Sequence, residues 1–535
     1  MRCKELFLTL MILLGIISCS NNSSNSNRSK EIVVNVSSEP KTLDPTISGG
    51  DFVYPRHVFE TLTIKNKEGK LVGGAAESWD ISTDGLVYTF HLRTNAKWSD
   101  GVDVKASDFV YALQRAVDPN TAAEYTIFVE YIKNANKILS GKASVDSLAV
   151  KAIDDYTLEI TLEAPTGYFL DILTYPVYAP VRKDIIEKYG VAWSLNPETY
   201  IGNGSFIMTE RSQDEKIVLV KNTNYWNRDN IIPEKITFLL FSDPNLALAG
   251  IKDGSLDFSV NVLEQDMVKL KDEGLLKVLP YFSTFAFGIN ATNDTLKDIR
   301  VRKALSLAID RNYIVENVVP TATRATSAWV AFGTSDVSGD FRENGGEYID
   351  ISKGAYSKNV EEAKRLLAEA GYPDGKGFPI LEYKTPNGLI NIQVAEAVQS
   401  MWKENLGIDL KIVPLDSATF QQDRIDKNYQ LVRNLWTGDY NDPVTFLENY
   451  VSGRVQNTIG YSNSEFDKYF KIATTSADNT VRMEAMHNAE RILIEEDNIL
   501  IPIYNPSNPV LVNKRFKGYL VTPLLELNFN YAYLE

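Results

Sequence analysis

The chain has 535 residues, a formal net charge of −15 and a hydrophobic fraction of 44%. A chain this long and this apolar can bury several cores, so disorder is excluded for most of it and about three domains are expected. The acidic balance argues against a nucleic-acid or anionic-membrane surface, because such surfaces need clustered Lys and Arg. With 2 Cys and 3 His in the whole chain, we expect no disulfide framework, no metal site and no cofactor.

The N-terminus has the pattern of a lipoprotein signal. A short basic start precedes an apolar run over residues 6–17, which is too short for a membrane span of about 20 residues. The run leads into Cys19 and resembles a bacterial lipobox, although Ile16 stands where leucine is usual. We therefore predict a signal peptide over residues 1–18, lipid attachment at Cys19, and a Ser/Asn-rich tether over 19–30. An ordinary signal peptide that is cut nearby is the alternative.

The elements that follow alternate between strands and helices. Near-alternating apolar residues predict strands over 31–37, 86–93 and 157–162. Helical spacing and helix-ending glycines predict further elements in the second half of the chain. The predicted helices cover residues 105–116, 299–309, 360–370, 394–406 and 480–494, and a further strand covers 408–413. Asn359 is the expected N-cap of one of these helices, with Glu362 reaching back to it in a capping box. This alternation predicts an α/β protein.

The chain lacks the local motifs of common enzymes. No GxSxG, HExxH, Walker or CxxC motif is present, and residues 371–377 have the wrong spacing for a phosphate loop. The three histidines, His57, His91 and His487, are far apart in the sequence. We expect each to be an ordinary surface or packed side chain. We therefore expect no enzymatic activity.

Two stretches resemble a known family. Residues 73–109, which contain GGAAESW, AKWSDG and ASDF, resemble the signature of the oligopeptide and dipeptide solute-binding proteins of ABC importers. Residues 436–443, WTGDYNDP, are similar to the ligand loop of the oligopeptide-binding members. The resemblance covers nearly all of residues 31–535. It implies an α/β, two-lobe periplasmic-binding-protein fold, class II-like and of cluster C, with an extra small domain inserted into the first lobe.

The resemblance also implies how the lobes divide the chain. The first lobe is expected to comprise three separate segments, and the second lobe a single one. The expected bounds are 31–62, 185–282 and 504–535 for the first lobe, 63–184 for the inserted small domain, and 283–503 for the second lobe. Crossing strands near residues 279–289 and 501–506 would form a hinge, so that the lobes close over a ligand.

The same resemblance assigns ligand contacts to the loop that contains Asp439. Asp439 is expected to pair with the α-ammonium group of a peptide, since an ion pair is stronger in a closed, low-dielectric cleft than on a surface. Trp436 would wall a side-chain pocket, and the backbone of Trp436, Thr437 and Gly438 would bond the peptide main chain. The alternatives are turn chemistry for Asp439 and core packing for Trp436.

Three further residues match family positions near the ligand. Tyr125 matches a tyrosine whose neighbourhood meets the ligand backbone. Arg424 and Arg433 match positions that meet the peptide carboxylate, for which the forked guanidinium is suited. The alternatives are a tyrosine that covers apolar surface and arginines in surface ion pairs. A histidine that helps to hold the carboxylate in a relative falls near Asn391 here, which predicts a different peptide length or C-terminal recognition.

Together these features predict a lipid-anchored solute-binding protein that captures short oligopeptides and delivers them to the permease and ATPase subunits of an ABC importer. We expect a monomer outside the cytoplasm, held to a bacterial membrane only by its lipid, with no nucleic-acid partner. One alternative is a binder of the same fold for a dipeptide, a nickel complex or a sugar. The other is a surface adhesin or an extracytoplasmic hydrolase, although the sequence shows no nucleophile–base pair.

Overall fold

The computed structural model describes residues 30–36, 38–48, 52–319 and 321–535. The predicted signal peptide, the lipidation site Cys19 and the predicted tether up to residue 29 lie outside the described residues. Within the described part, two large mixed sheets form the centres of two lobes, and a four-stranded sheet forms a smaller unit. No helix in this part is long and apolar enough to cross a membrane.

The first large sheet has seven strands that come from three separate regions of the chain. Their spatial order is Leu276–Pro280, Ser507–Val512, Phe258–Ser259, Glu31–Asn35, Lys235–Leu239, Lys216–Lys221 and Phe206–Ser212. The strand Glu31–Asn35, which the sequence predicts, lies in the interior of this sheet and pairs in parallel with both neighbours. Its alternation places Ile32 and Val34 in the core. The N-terminal segment is therefore fixed by strands that lie 200 residues and more along the chain.

The second large sheet has six strands. Their order is Arg324–Ala325, Leu500–Asn505, Ser283–Ile289, Leu431–Thr437, Leu381–Pro386 and Leu410–Leu415. Every residue of Ser283–Ile289 is buried, as expected for an interior strand that is covered on both faces. The strand predicted over 408–413 is found two residues later, at Leu410–Leu415.

The chain passes between the two sheets at two neighbouring places. Leu276–Pro280 belongs to the seven-stranded sheet and Ser283–Ile289 to the six-stranded sheet, with Tyr281 and Phe282 between them. On the return, Pro506 separates Leu500–Asn505 from Ser507–Val512. The two crossings touch, because the Asn505 side chain donates to Ser283 O at 3.0 Å. The crossing strands predicted near 279–289 and 501–506 are therefore present and lie side by side.

The smaller unit contains the four-stranded sheet. Its strands, in order, are Ala76–Ile81, Val87–Leu92, Thr157–Thr161 and Val150–Asp154. Alternation in Val87–Leu92 buries Tyr88, Phe90 and Leu92. The helix Ala106–Val117 covers the sheet with an apolar face. The predictions over 86–93, 105–116 and 157–162 are thus confirmed within one or two residues.

The remaining elements are short strand pairs and helices around the sheets. The strand pairs are Thr63–Lys65 with Leu71–Gly73, Phe516–Lys517 with Tyr533–Leu534, and Leu520–Val521 with Leu527–Asn528. The other α-helices are Val53–Val58, Ala135–Leu139, Phe169–Ile172, Lys183–Tyr189, Pro244–Asp253, Met267–Asp272, Ile299–Leu307, Arg311–Tyr313, Phe341–Gly345, Tyr356–Glu369, Leu389–Leu406, Ser417–Ile425, Val444–Leu447, Ser464–Thr475 and Asn479–Arg491.

The predicted capping box at Asn359 is wrong. The helix begins three residues earlier, at Tyr356, and the Asn359 side chain lies inside it and donates to Asp350 O at 2.8 Å. No side chain caps the actual start, since the residue before the helix is Ala355; the Tyr356 hydroxyl donates to Ala308 O at 3.2 Å. The predicted end at Gly407 is confirmed, since this glycine caps Leu389–Leu406 with a φ of 69°.

The three histidines have structural partners. His57 is buried; its Nδ1 lies 2.6 Å from Val53 O and its Nε2 accepts the N–H of Phe529. Burial lowers the pKa of His57 to about 4, so it is neutral at physiological pH. His91 lies on the surface beside an aspartate, and His487 stacks against an aromatic ring.

Candidate functional site

The loop that carries Asp439 leaves the six-stranded sheet beside the crossing segments. In the pairing of Leu431–Thr437 with Ser283–Ile289, Trp436 lies opposite Thr284 and Thr437 opposite Ser283. The Ser283 hydroxyl donates to Trp436 O at 2.7 Å. The sheet register therefore fixes where this loop begins, at the edge of the six-stranded lobe that faces the other lobe.

Gly438 is packed directly against the first crossing. Its N–H donates to Phe282 O at 2.8 Å, and a Cβ at this position would lie 2.5 Å from Phe282 Cε1. Only glycine fits so close to the ring without a shift. Thr437 adds a second link, because its hydroxyl donates to the Tyr281 hydroxyl at 3.0 Å. The Gly438 N–H is therefore hydrogen-bonded within the protein in this structure. It is one of the backbone groups that the family resemblance assigns to the ligand.

Asp439 is held by its backbone while its carboxylate is left open. Its N–H donates to the Thr445 hydroxyl at 2.9 Å, and its carbonyl accepts the hydroxyl of Tyr175. Across the described residues, no hydrogen bond or ion pair reaches the carboxylate itself. Burial, with a smaller contribution from the charge of Glu448, raises the pKa of Asp439 to about 7. A cation placed beside this carboxylate would restore its ionised form and lower the pKa again.

Two cavities meet at Asp439. The first, which we call the Tyr125 cavity, measures about 380 Å³ and includes Tyr125, Tyr175, Thr437 and Gly438 in its wall. The second, the Trp436 cavity, measures about 560 Å³. Both volumes lie within the range of about 300–1,000 Å³ that is typical of ligand pockets. Five of the seven residues expected to bind ligand, including Asp439 itself, therefore line one or both cavities.

Aromatic rings form much of the wall around Asp439. The Tyr125 ring packs edge-on against Phe52, with a centroid distance of 5.2 Å, and is stacked on Phe128 at 5.5 Å. Phe128 in turn stacks on Tyr175 at 4.0 Å. Burial, together with the nearby charge of Asp439, raises the pKa of Tyr125. Tyr125 is therefore part of a built wall of the cavity.

Trp436 offers an unused hydrogen-bond donor. Its Nε1 is buried and has no partner among the described residues, whereas a buried indole N–H in a protein core usually finds one. Trp436 lines the larger cavity, while its Nε1 atom is enclosed by protein in this structure.

Arg424 and Arg433 lie farther along the same lobe and line neither cavity. Arg433 lies in the strand that leads to the loop, and burial lowers its pKa. Arg424 makes only long contacts of 3.4 Å, to Asn434 and Thr458. Within the described part of the chain neither arginine has an acidic partner, so the surface ion pairs considered as alternatives are not formed.

Sequence reasoning missed several residues of this site. Tyr168 and Tyr440 stack with a centroid distance of 4.3 Å and an interplanar angle of 4°, which joins the smaller unit to the loop. Glu130 and Glu448 place two more carboxylates in the wall of the Trp436 cavity. These residues lie far apart in the sequence; its 27 tyrosines are a signal for the stacked rings, but none marks the two glutamates. Among the described residues, no group of three or more His, Cys, Asp or Glu is placed to hold a metal ion.

Comparison with known proteins places this geometry in a family. The family model for bacterial extracellular solute-binding proteins, family 5 Middle, matches residues 70–458. The periplasmic oligopeptide-binding protein OppA of Escherichia coli K12 is 36% identical over 91% of this chain and 89% of its own length.

Two solved structures extend the comparison to the fold and to the arrangement of the lobes. The unliganded open form of the murein tripeptide-binding protein MppA superposes with a TM-score of 0.84 at 32% identity, covering 95% of this chain and 97% of its own. The Haemophilus influenzae OppA complex with RPPGFSPFR, also 32% identical, gives a TM-score of 0.72 and covers 95% of this chain and 99% of its own. The present arrangement is thus more similar to the open form than to the complex. The chain belongs to the bacterial extracellular solute-binding proteins of family 5, which confirms the family resemblance of its sequence.

Proposed function

We propose that this protein captures short oligopeptides between its two lobes and delivers them to an ABC importer. The observation that carries the proposal is the carboxylate of Asp439, which is half-buried, lacks a partner among the described residues and lies where two cavities meet. An unpaired buried carboxylate is costly unless a cation joins it. The α-ammonium group of a peptide is such a cation. Relatives named as oligopeptide-binding and murein peptide-binding proteins support this choice of ligand.

The other site residues fit the remaining parts of a peptide. The ring of Trp436 can wall a side-chain pocket, and the carbonyl groups of Thr437 and Gly438 can accept from peptide N–H groups, as in β-strand addition. Tyr125 closes one side of the cleft. Arg433 lies six residues before Asp439, so their backbones are separated by at most about 20 Å, the span of an extended peptide of about six residues. Arg433, and with it Arg424, is our proposed partner for the peptide carboxylate, since neither has an acidic partner among the described residues.

Affinity in this scheme comes from groups that every peptide has. The main chain and both termini are the same for all sequences, and the cavities are large enough to hold water beside a smaller side chain. Selection against particular side chains would need a repulsive element. The two adjacent crossings at Tyr281–Phe282 and Pro506 are the proposed hinge for closure, because few residues there connect the two sheets.

The domain bounds remain part of this proposal. We divide the first lobe into 31–62, 185–282 and 504–535, with the small domain at 63–184 and the second lobe at 283–503. The composition of the three sheets supports this division, since the strands of each sheet come from these segments, apart from Leu500–Asn505, which runs two residues past the boundary at 503. The lipid anchor at Cys19, the monomeric state and the docking to permease and ATPase subunits belong to the same proposal, and rest on the N-terminal pattern and the family.

One experiment tests the proposal. Full-length protein is purified in mild detergent, the bound material is released with weak acid, and the extract is analysed by mass spectrometry. We expect a mixture of short peptides with free amino termini. A single non-peptide species, or an empty protein that no peptide library stabilises against heat, would contradict the proposal.

A further inference from the structure

The Trp436 cavity contains an uneven set of charges. Five charged side chains line it. Two of them, Glu448 and Arg454, form an ion pair at 2.7 Å. Arg482, a third, is paired at 2.9 Å with the buried Asp442 behind the wall. Asp439 and Glu130 remain, and neither carboxylate has a hydrogen bond or an ion pair within the described ranges.

The proposed function uses only one of these two free charges. If Asp439 receives the α-ammonium group of a peptide, Glu130 is left without an ion-pair partner of its own among the described residues. Glu130 is half-buried, and this burial raises its pKa, although the charge of Arg454, which is paired with Glu448, acts in the opposite direction. A second cation in the cavity would relieve this cost.

A polar side chain beside the carboxylates also lacks a partner. Asn449 lines the same cavity and is only 9% exposed. Its amide makes no hydrogen bond to any described residue. A buried amide normally has such a partner, so its carbonyl is available to an N–H donor from a bound molecule. The ring of Trp436 in the same wall provides a face on which a cation can lie.

The Tyr125 cavity on the other side of Asp439 has a different charge balance. Its other charged residues, Arg56 and Glu526, pair with each other at 2.8 Å. A charged ligand side chain would have no free counter-charge in the Tyr125 cavity. We therefore expect only the Trp436 cavity to favour a charged ligand side chain.

We infer that the Trp436 cavity takes a cationic side chain, that of lysine or arginine, from one of the first two residues of a bound peptide, with Glu130 as its counter-charge. The inference rests on the proposed function, because Asp439 places the peptide amino terminus at the mouth of the cavity. Successive side chains of an extended peptide point to opposite sides, and Asp439 belongs to the walls of both cavities. One of the first two side chains therefore enters the Trp436 cavity.

The test compares peptides that differ only in charge. Isothermal titration of full-length protein in detergent would measure Lys-Ala-Ala and Ala-Lys-Ala against the same peptides with norleucine in place of lysine. We expect a preference for lysine in one of the two positions, on the order of tenfold, which equals about 1.4 kcal/mol. Glu130→Gln should remove this preference by lowering the affinity for the lysine peptides more than the affinity for the norleucine peptides. Glu124→Gln is the matched control, because Glu124 is exposed on the same segment and lines neither cavity.

Three results would overturn the inference. The first is equal binding of lysine and norleucine peptides to the wild type. The second is a Glu130→Gln variant that weakens both kinds of peptide alike, which would assign Glu130 a structural role. The third is that Glu124→Gln removes the preference for lysine as fully as Glu130→Gln does. The preference would then come from the overall negative charge of this region and not from Glu130. Binding of no peptide at all would overturn the proposed function as well, so the two failures are distinguishable.

Discussion

Replacing Asp439 by asparagine is expected to change how the stability of the ligand-free protein depends on pH. Burial and the charge of Glu448 raise the pKa of Asp439 from 3.8 to about 7 in the folded protein. In the unfolded chain the carboxyl group keeps its ordinary pKa. The folded state therefore binds the proton more tightly, and the stability of the wild type falls as pH rises through this interval and levels off above pH 7.

The size of this effect follows from the pKa difference. Between pH 5 and pH 8 the wild type should lose about 3 kcal/mol, since each pH unit below the folded pKa contributes about 1.4 kcal/mol. For a chain of 535 residues, the unfolding entropy converts 1 kcal/mol into a shift of about 1 °C. The asparagine side chain of the variant would have no proton to lose. The melting temperature of Asp439→Asn should therefore gain about 3 °C relative to the wild type over this range.

The assay is thermal unfolding of dialysed, ligand-free proteins at pH 5, 6, 7 and 8, because a bound ligand would stabilise the wild type. Asp146→Asn is the control, since Asp146 is an exposed aspartate outside both cavities, and it should follow the wild type. If the curves of Asp439→Asn and the wild type run parallel from pH 5 to pH 8, the reasoning about Asp439 is refuted.

Three further predictions concern the loop, the carboxylate end of the peptide and the core. Gly438→Ala should destabilise the protein by about 1–3 kcal/mol, because the added Cβ would meet the Phe282 ring. Thermal melting measures the loss of stability, and an unchanged melting midpoint would contradict the prediction. Arg433→Leu should weaken the binding of a peptide with a free C-terminal carboxylate by about 2 kcal/mol, but not the binding of the same peptide as a C-terminal amide. Titration of both forms measures this difference, and equal losses of affinity would exclude Arg433 from the carboxylate site. Arg342→Met should cost about 3–5 kcal/mol, since it strands the buried carboxylate of Glu490; a melting temperature close to that of the wild type would argue against this cost.

Strands and helices could be predicted where the pattern of neighbouring apolar residues determines which face is buried. The alternation over 86–93 predicts the strand found at Val87–Leu92, because one face of that strand is buried. The start of the helix at Tyr356 was missed because no capping side chain marks it: the residue before the helix is Ala355, which cannot cap. A helix that begins without a capping residue leaves no such signature in the sequence.

The candidate site was only partly predictable. The loop with Asp439 could be located by its resemblance to a ligand loop, but its raised pKa depends on burial by distant parts of the chain. Glu130 and Asp439 lie about 300 positions apart in the sequence, and no spacing rule connects them. Arg424 and Arg433 were matched by position, whereas their lack of acidic partners is a property of the packed structure.

The central claim is that Asp439 holds the amino terminus of a peptide. Its most direct test is isothermal titration of one short peptide, with a free and with an N-acetylated amino terminus, against the wild type and Asp439→Asn. We predict that the free peptide binds the wild type tightly and loses about 2–5 kcal/mol in the variant. The acetylated peptide should bind both proteins weakly and alike. Equal binding of the free and acetylated peptides to the wild type would contradict the claim.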